Sequence, residues 1–312
     1  MTTQTLPEAA KLIQDQLVSG IAEDIITTNP IYMRMPWTGF DGQAVIYNRE
    51  NTLGDSQHLS VGGTITAKGA STTEQVTYLP TTTIGDAELN GLVAATSSSA
   101  GVDQMAVEVS SKAKSIGRKL QSGFATGDGA GANMNSVHTL CDPSQYTSAS
   151  AGQALSFELL DELLDLVKSK DGQVDYIMAP GRVIRAYKAL ARALGGTAPT
   201  DAFLMPDGQT RTVSMYEDVP FFQNDYLSTA ETANGAALVG GNLSSIYAGV
   251  WDDGTNKIGQ SMIYPNGVPM GIQVEDVGAK ETKDESIMRV KSYSNFANFN
   301  RRGLARLPSI SV

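Results

Sequence analysis

One cysteine, two histidines and no apolar run approaching twenty residues set the first limits on this chain of 312 residues. A lone Cys141 excludes an intrachain disulfide framework and a multi-cysteine metal site. As a nucleophile it would need a base, and only His58 and His138 are on offer; closeness of His138 to Cys141 in sequence does not build a dyad. With so few histidines a metal site would rest mostly on carboxylates, yet there is no Asp-x-Asp-x-Asp-Gly calcium loop, and no Gly-x-Ser-x-Gly nucleophile elbow either. The pairs Glu23-Asp24, Glu217-Asp218 and Glu275-Asp276 read as turn or surface residues. The missing apolar run excludes a membrane-spanning helix, and the first seventeen residues lack the basic start and apolar stretch of a signal peptide. The expectation is a chain made and used in the cytosol, or in a particle assembled there, with no membrane partner. Positive charge is scarce too: 23 Lys and Arg face 33 Asp and Glu, for a net charge of −10. Gripping a phosphate backbone needs a basic surface that releases counterions, so it is not the main job of this chain. No motif calls for a cofactor or a metal.

What is present is 41% hydrophobic residues with 18% charged, the balance of a globular protein long enough for a substantial core. Its most informative stretch predicts a long amphipathic helix over about 97–126. Val102, Met105, Ala106, Val109, Ala113, Ile116, Leu120 and Phe124 recur at helical spacing, and Asp103, Glu108, Lys112, Lys114, Arg118 and Lys119 fall largely between them. Ser97, Ser98 and Ser99 offer N-caps and Gly127 a stop. A helix this long suggests a spine for an elongated subunit. The loop Gly127-Asp128-Gly129-Ala130-Gly131 follows a helix and lacks the Gly-Lys-Ser/Thr ending of a phosphate cradle, so it reads as a structural turn.

On either side the pattern changes. Residues 1–30 predict an arm with one helix, its apolar side marked by Leu12, Ile13, Leu17, Ile21 and Ile25, ending at Asn29-Pro30. Residues 41–85 predict two strands, around Ala44–Tyr47 and Glu74–Leu79, joined by a Thr- and Gly-rich excursion over 51–71 with few large apolar residues. So long a loop is uncommon unless something outside its own domain stabilises it. From Ser156 the order is helix, strand, helix: Phe157–Val167, Tyr176–Met178, Val183–Leu194. The second helix carries Arg182, Arg185, Lys188 and Arg192 without an acid, a face that pairs with the acidic helix before it or with a neighbouring subunit. Short strands are expected at Val213–Tyr216, Val219–Phe222, Ala236–Val239 and Ile246–Val250. A long antiparallel pair is expected from Gly271–Glu275 and Ile287–Lys291 across a charged connection, and Arg301, Arg302 and Arg306 make the C-terminus locally basic.

This order of elements resembles the major capsid proteins of tailed bacteriophages, the HK97-like fold. The segments that carry the resemblance are Lys119–Gly131 at the end of the spine, Asp175–Pro180 leading into a helix, Tyr216–Tyr226, and the closing Arg302–Pro308. The resemblance implies an α+β fold with an N-terminal arm (1–40) and an extended loop lying over a neighbour (41–85). It further implies a peripheral domain with the spine (86–150 and 268–312) and an axial domain around capsomer axes (151–267). It implies a homo-oligomer of pentamers and hexamers forming an icosahedral virion shell, assembled in the host cytoplasm, that encloses double-stranded DNA without sequence-specific contact. Separate scaffolding, portal and decoration proteins are the further partners it allows. Arg49, His58 and Lys68 on the extended loop, Arg182, Arg185, Lys188 and Arg192 on the axial helix, and Arg301 and Arg302 near the C-terminus become candidates for inter-subunit contact. Lys68 is the only lysine on that loop, and no cross-linking motif surrounds it; it reads as a solvated charge. The alternatives are an encapsulin-like shell around enzyme cargo, and a cytosolic hydrolase or lyase with a carboxylate site.

Overall fold

The computed structural model describes residues 31–99, 104–147, 152–168, 173–195, 199–204, 210–233, 237–255 and 259–311. The helix expected through Leu12–Ile25 lies outside them, as do Val102, Asp103 and Glu23-Asp24.

After a turn of helix at Ile31–Arg34 come β1 (Trp37–Phe40), then β2 (Val45–Thr52) and β3 (Thr72–Tyr78), which pair only with each other as a two-stranded antiparallel ribbon. β4 (Thr81–Asn90) leads into a helix at Gly91–Ser99, and the spine helix follows at Gln104–Thr126. The serines expected as N-caps of the spine therefore end the preceding helix. The spine's 23 residues give a length of about 35 Å. Its apolar stripe packs on β4 and on a long strand near the C-terminus, with Ile116, Phe124 and Ala125 fully buried. Gly127 ends it where a side chain would collide with the Met134 carbonyl, and Gly129 turns at φ +64°. Asp128 accepts from the Ala130 amide and the Asn133 side chain, so the glycine loop is tied as a turn.

The next elements are β5 (Gln153–Ala154), a helix at Phe157–Lys168, β6 (Tyr176–Ala179), a helix at Gly181–Ala193, β7 (Thr200–Leu204), β8 (Thr210–Tyr216), β9 (Val219–Gln223) and β10 (Leu243–Gly249). β11 (Gln260–Pro265), β12 (Gln273–Ala279), β13 (Glu285–Asn298) and β14 (Leu304–Ser311) complete the chain. Seven strands form one sheet in the order β5-β14-β10-β6-β9-β8-β7. Alternation sorts its side chains: Ile177, Ala179, Phe221, Ile246, Ala248, Ala305 and Leu307 meet the two helices, whereas Tyr176, Met178, Phe222, Tyr247 and Leu304 meet Phe124, Met262 and Phe296 on the other face. Both faces of the central strands are covered, so β6 and β10 are buried at every position; β6 reads in sequence as a continuous apolar run, whereas β10 also buries Ser244 and Ser245.

The second sheet is built on β13. β4 pairs with its first ten residues on one side, β12 with Ser286–Lys291 on the other, and β11, itself paired in parallel with β1, takes its last four residues. Three differences from the sequence expectation stand out. β14 falls in the span expected to be peripheral, yet it crosses into the seven-stranded sheet beside β10, because Gly303 turns the chain after β13. β11, expected in the axial group, pairs with β13. Residues 237–239 form a bend rather than a strand, with 236 outside the described residues.

Candidate assembly surfaces

The ribbon β2–β3 has a core only at its root. Tyr47 and Tyr78 stack at 6.3 Å, and both meet Phe299 edge-on. Both hydroxyls donate to the Asn298 carbonyl, that of Tyr47 also to the Phe299 carbonyl. Val45, Val76, Ile263 and Ala297 fill the rest. Beyond Tyr47 the ribbon is open on both faces. Leu53 is 79% exposed, Leu59 and Ile65 are exposed, and Val61 stands fully in solvent. The tip is shaped by its own polar contacts: the Gln57 side chain accepts from the amides of Thr66 and Ala67, and Asp55 accepts from that of Gly69.

Two ion pairs brace the root. Arg49 bonds Glu74 across the ribbon at 3.0 Å, and Arg301 bonds Asp142 on the body. Burial pushes the Asp142 carboxyl up, but hydrogen bonds from Arg301 and Ser144 outweigh it and hold the group below the usual aspartate range. Arg49, Arg301 and Arg302 border one cleft of about 850 Å³, with Ser144, Asn51 and Asn300. The structure thus brings together three of the candidate contact residues. His58 and Lys68 lie apart from them on the exposed tip, and Arg182, Arg185, Lys188 and Arg192 lie on the helix Gly181–Ala193, where Arg182 donates to the Thr229 carbonyl.

Arg306 corrects the expectation of a basic C-terminus. It is 1% exposed, bonds the equally buried Glu231 at 2.9 Å and Ser245 at 3.0 Å, and lies over the rings of Tyr146 and Tyr247. This hub joins four separate stretches of chain. The sequence carried one usable signal for the ribbon root, the period-two pairs Val45/Tyr47 and Val76/Tyr78; for Arg306 and its partner it carried none.

Cys141 and His138 are turned to different partners. The buried thiol points at the Leu304 carbonyl, and burial pushes its pKa up; His138 Nδ1 meets the Tyr247 hydroxyl, and burial and Arg306 depress its pKa to about 4. A thiol held protonated beside an imidazole bonded elsewhere is not an activated nucleophile. Glu217 and Asp218 form the tight β8–β9 turn with φ of 47° and 63°, and Glu275 bonds Lys291 at 2.5 Å. Among the described residues no group of three or more His, Cys, Asp or Glu is placed to hold a metal ion, and no helix is long and apolar enough to cross a membrane.

No protein-family profile and no curated protein matches the sequence. Solved structures do match. The holo-SrpI encapsulin complex from Synechococcus elongatus contains a chain similar at TM-score 0.73 and 16% identity, over 99% of this chain and 96% of that one. The capsid of a native GTA particle is similar at TM-score 0.66 and 10% identity, over 99% of both chains. A structure from Mycobacterium phage Bobi is similar at TM-score 0.65 and 13% identity, over 98% of this chain and 99% of that one. Likeness along the whole length at such low identity is likeness of architecture, and that architecture is the α+β, HK97-like capsid fold.

Proposed function

We propose that this chain is a major capsid protein, a structural and non-enzymatic subunit that assembles into pentamers and hexamers of an icosahedral shell around a phage double-stranded DNA genome. The ribbon carries the reading. A hairpin whose apolar tip side chains, Leu53, Leu59, Val61 and Ile65, stand in solvent buries little of them against its own subunit, and apolar side chains gathered on one projecting limb are suited to cover by another chain. In the partition that goes with this reading, the extended loop of residues 41–85 reaches over a neighbour with its β2–β3 ribbon, while Thr81–Gly85 at its end stays in the β13 sheet. The spine with the β13 sheet forms the peripheral part, and the seven-stranded sheet with its two helices surrounds the capsomer axis. The net charge of −10 suits a wall that holds packaged DNA without binding it tightly. Assembly in the host cytoplasm, with separate scaffolding, portal and decoration proteins, belongs to the same reading.

The likeness to an encapsulin at TM-score 0.73 favours a second reading, a shell around protein cargo. Replacing residues 51–71 by a short Gly-Ser turn tests the shell in either form. The expected outcome is a folded subunit with an unchanged thermal midpoint that no longer forms particles in negative-stain electron microscopy. Normal particles from this variant would remove the ribbon from the assembly mechanism. Nuclease-protected DNA of uniform length inside particles from the native source separates genome from cargo.

A further inference from the structure

The basic stripe on Gly181–Ala193 has an acidic counterpart on Phe157–Lys168. Arg185, Lys188 and Arg192 are exposed and follow one another at i, i+3 and i+7; Glu158, Asp161 and Asp165 are exposed at the same spacing. Residues so spaced share one helix face. Among the described residues none of Glu158, Asp165, Arg185, Lys188 and Arg192 takes part in an ion pair. Asp161 accepts from the Tyr216 hydroxyl, and no side-chain hydrogen bond engages Glu158, Asp165, Arg185, Lys188 or Arg192. Among the described residues the two stripes, of opposite sign and identical spacing, are thus without charged partners.

Their directions also agree. The helix Gly181–Ala193 leaves the carboxyl end of β6 after Pro180 and runs back along the sheet. The helix Phe157–Lys168 starts beside β5, which pairs with the end of β14; β14 runs parallel to β6 because both are antiparallel to β10. Its other end reaches Glu217 through Lys168, next to the start of β9, the parallel neighbour of β6. Both helices thus run against β6 and parallel to each other.

We infer that the acidic stripe of one copy docks on the basic stripe of the next, with the helices parallel and the pairs Glu158–Arg185, Asp161–Lys188 and Asp165–Arg192 in register. Seven residues of helix rise about 10.5 Å on both sides, so all three pairs close together. An antiparallel approach would set three-residue steps against four-residue steps. A rotation about an axis along the helices keeps them parallel from copy to copy and gives a heterologous contact that closes into a ring, whereas a twofold across the helices would reverse one of them. Exposed pairs of this kind set register and partner choice more than raw affinity. The inference rests on the shell reading and names the contact that would form its rings.

Charge reversal tests it. E158K/D165K reverses the acidic stripe, R185E/R192E the basic one, and the four substitutions together restore complementarity; Asp161 is left in place because it holds Tyr216. Assembled mass is read by mass photometry and negative-stain microscopy in low salt, with the thermal midpoint as a check on folding. Each double variant is expected to need roughly tenfold more protein for half-assembly, with its midpoint unchanged, and the quadruple variant to recover most of that loss. A double variant that assembles like the unchanged protein, or a quadruple variant as defective as its halves, overturns the pairing and leaves the shell reading standing. An unchanged protein that stays monomeric at every concentration overturns both.

Discussion

The seven-stranded sheet and the ribbon are made of the same kind of backbone and solve opposite problems. Every residue of β10 is buried, between two helices on one face and the spine, β11 and β13 on the other. In β3 only Tyr78 is buried, and β2 has no buried residue at all. The sheet is stabilised by what its own subunit packs around it. The ribbon holds its shape through cross-strand hydrogen bonds and a tyrosine root, and an isolated two-stranded hairpin is at best marginally stable in water. One chain therefore contains a body packed around its own core and a limb with almost none, which the proposed shell would cover.

The sharpest way to break the body is through its buried charge. Arg306→Met leaves the Glu231 carboxylate unpaired in the interior, and removing one partner of a buried pair costs about 3–5 kcal/mol. Adding Glu231→Leu removes the orphaned charge and should return most of that loss in urea unfolding. A double variant as unstable as Arg306→Met alone would mean that Ser245, Tyr146 and Tyr247, rather than the ion pair, depend on the guanidinium.

A milder pair of truncations measures the contrast directly. Leu163→Ala opens a cavity between the Phe157–Lys168 helix and the sheet and should cost about 3 kcal/mol. Val61→Ala at the ribbon tip should change subunit stability by less than about 0.5 kcal/mol. Assembly is expected to reverse the ranking of harm per unit of lost stability, since the tip contributes only there. A tip variant that destabilises the isolated subunit as much as the core variant would show that the ribbon packs on its own body.

The contrast also explains what the sequence disclosed. The spine was legible because one side of a long helix is buried and the other wet, which forces Ile116, Leu120 and Phe124 onto one stripe. β12 and β13 were legible because only local alternation was needed. The ribbon announced itself through what Asn51–Ser71 lacks. Position in the sheets was not legible: β13 and β14 are separated by five residues and enter different sheets, a choice made by β10 and β11 from far along the chain. Nor could Arg306 be told from its exposed neighbours Arg301 and Arg302, because its partner Glu231 lies 75 positions away. The charge stripes of the two helices sit between these cases, since their residues were visible in sequence and their lack of charged partners among the described residues was not.

The smallest effect probes the joint between limb and body. Asp142 binds Arg301 beside the tyrosine root, and its carboxyl is held below the ordinary aspartate range. A carboxyl depressed in the folded state contributes stability that is complete above its unfolded value, near 4, and is lost as pH falls through the lowered folded value. The root should therefore tighten no further above about pH 5 and loosen in acid. Asp142→Asn removes the titrating group and should hold the root at its acid-loosened level throughout. Amide hydrogen exchange of β2 and β3, corrected for the intrinsic rate at each pH, reads the difference. For a pair this close to solvent it should correspond to under about 1 kcal/mol, or less than about fivefold in protection. If protection in the unchanged protein stays level into acid, or the variant follows the same curve, the Tyr47, Tyr78 and Phe299 cluster holds the limb alone.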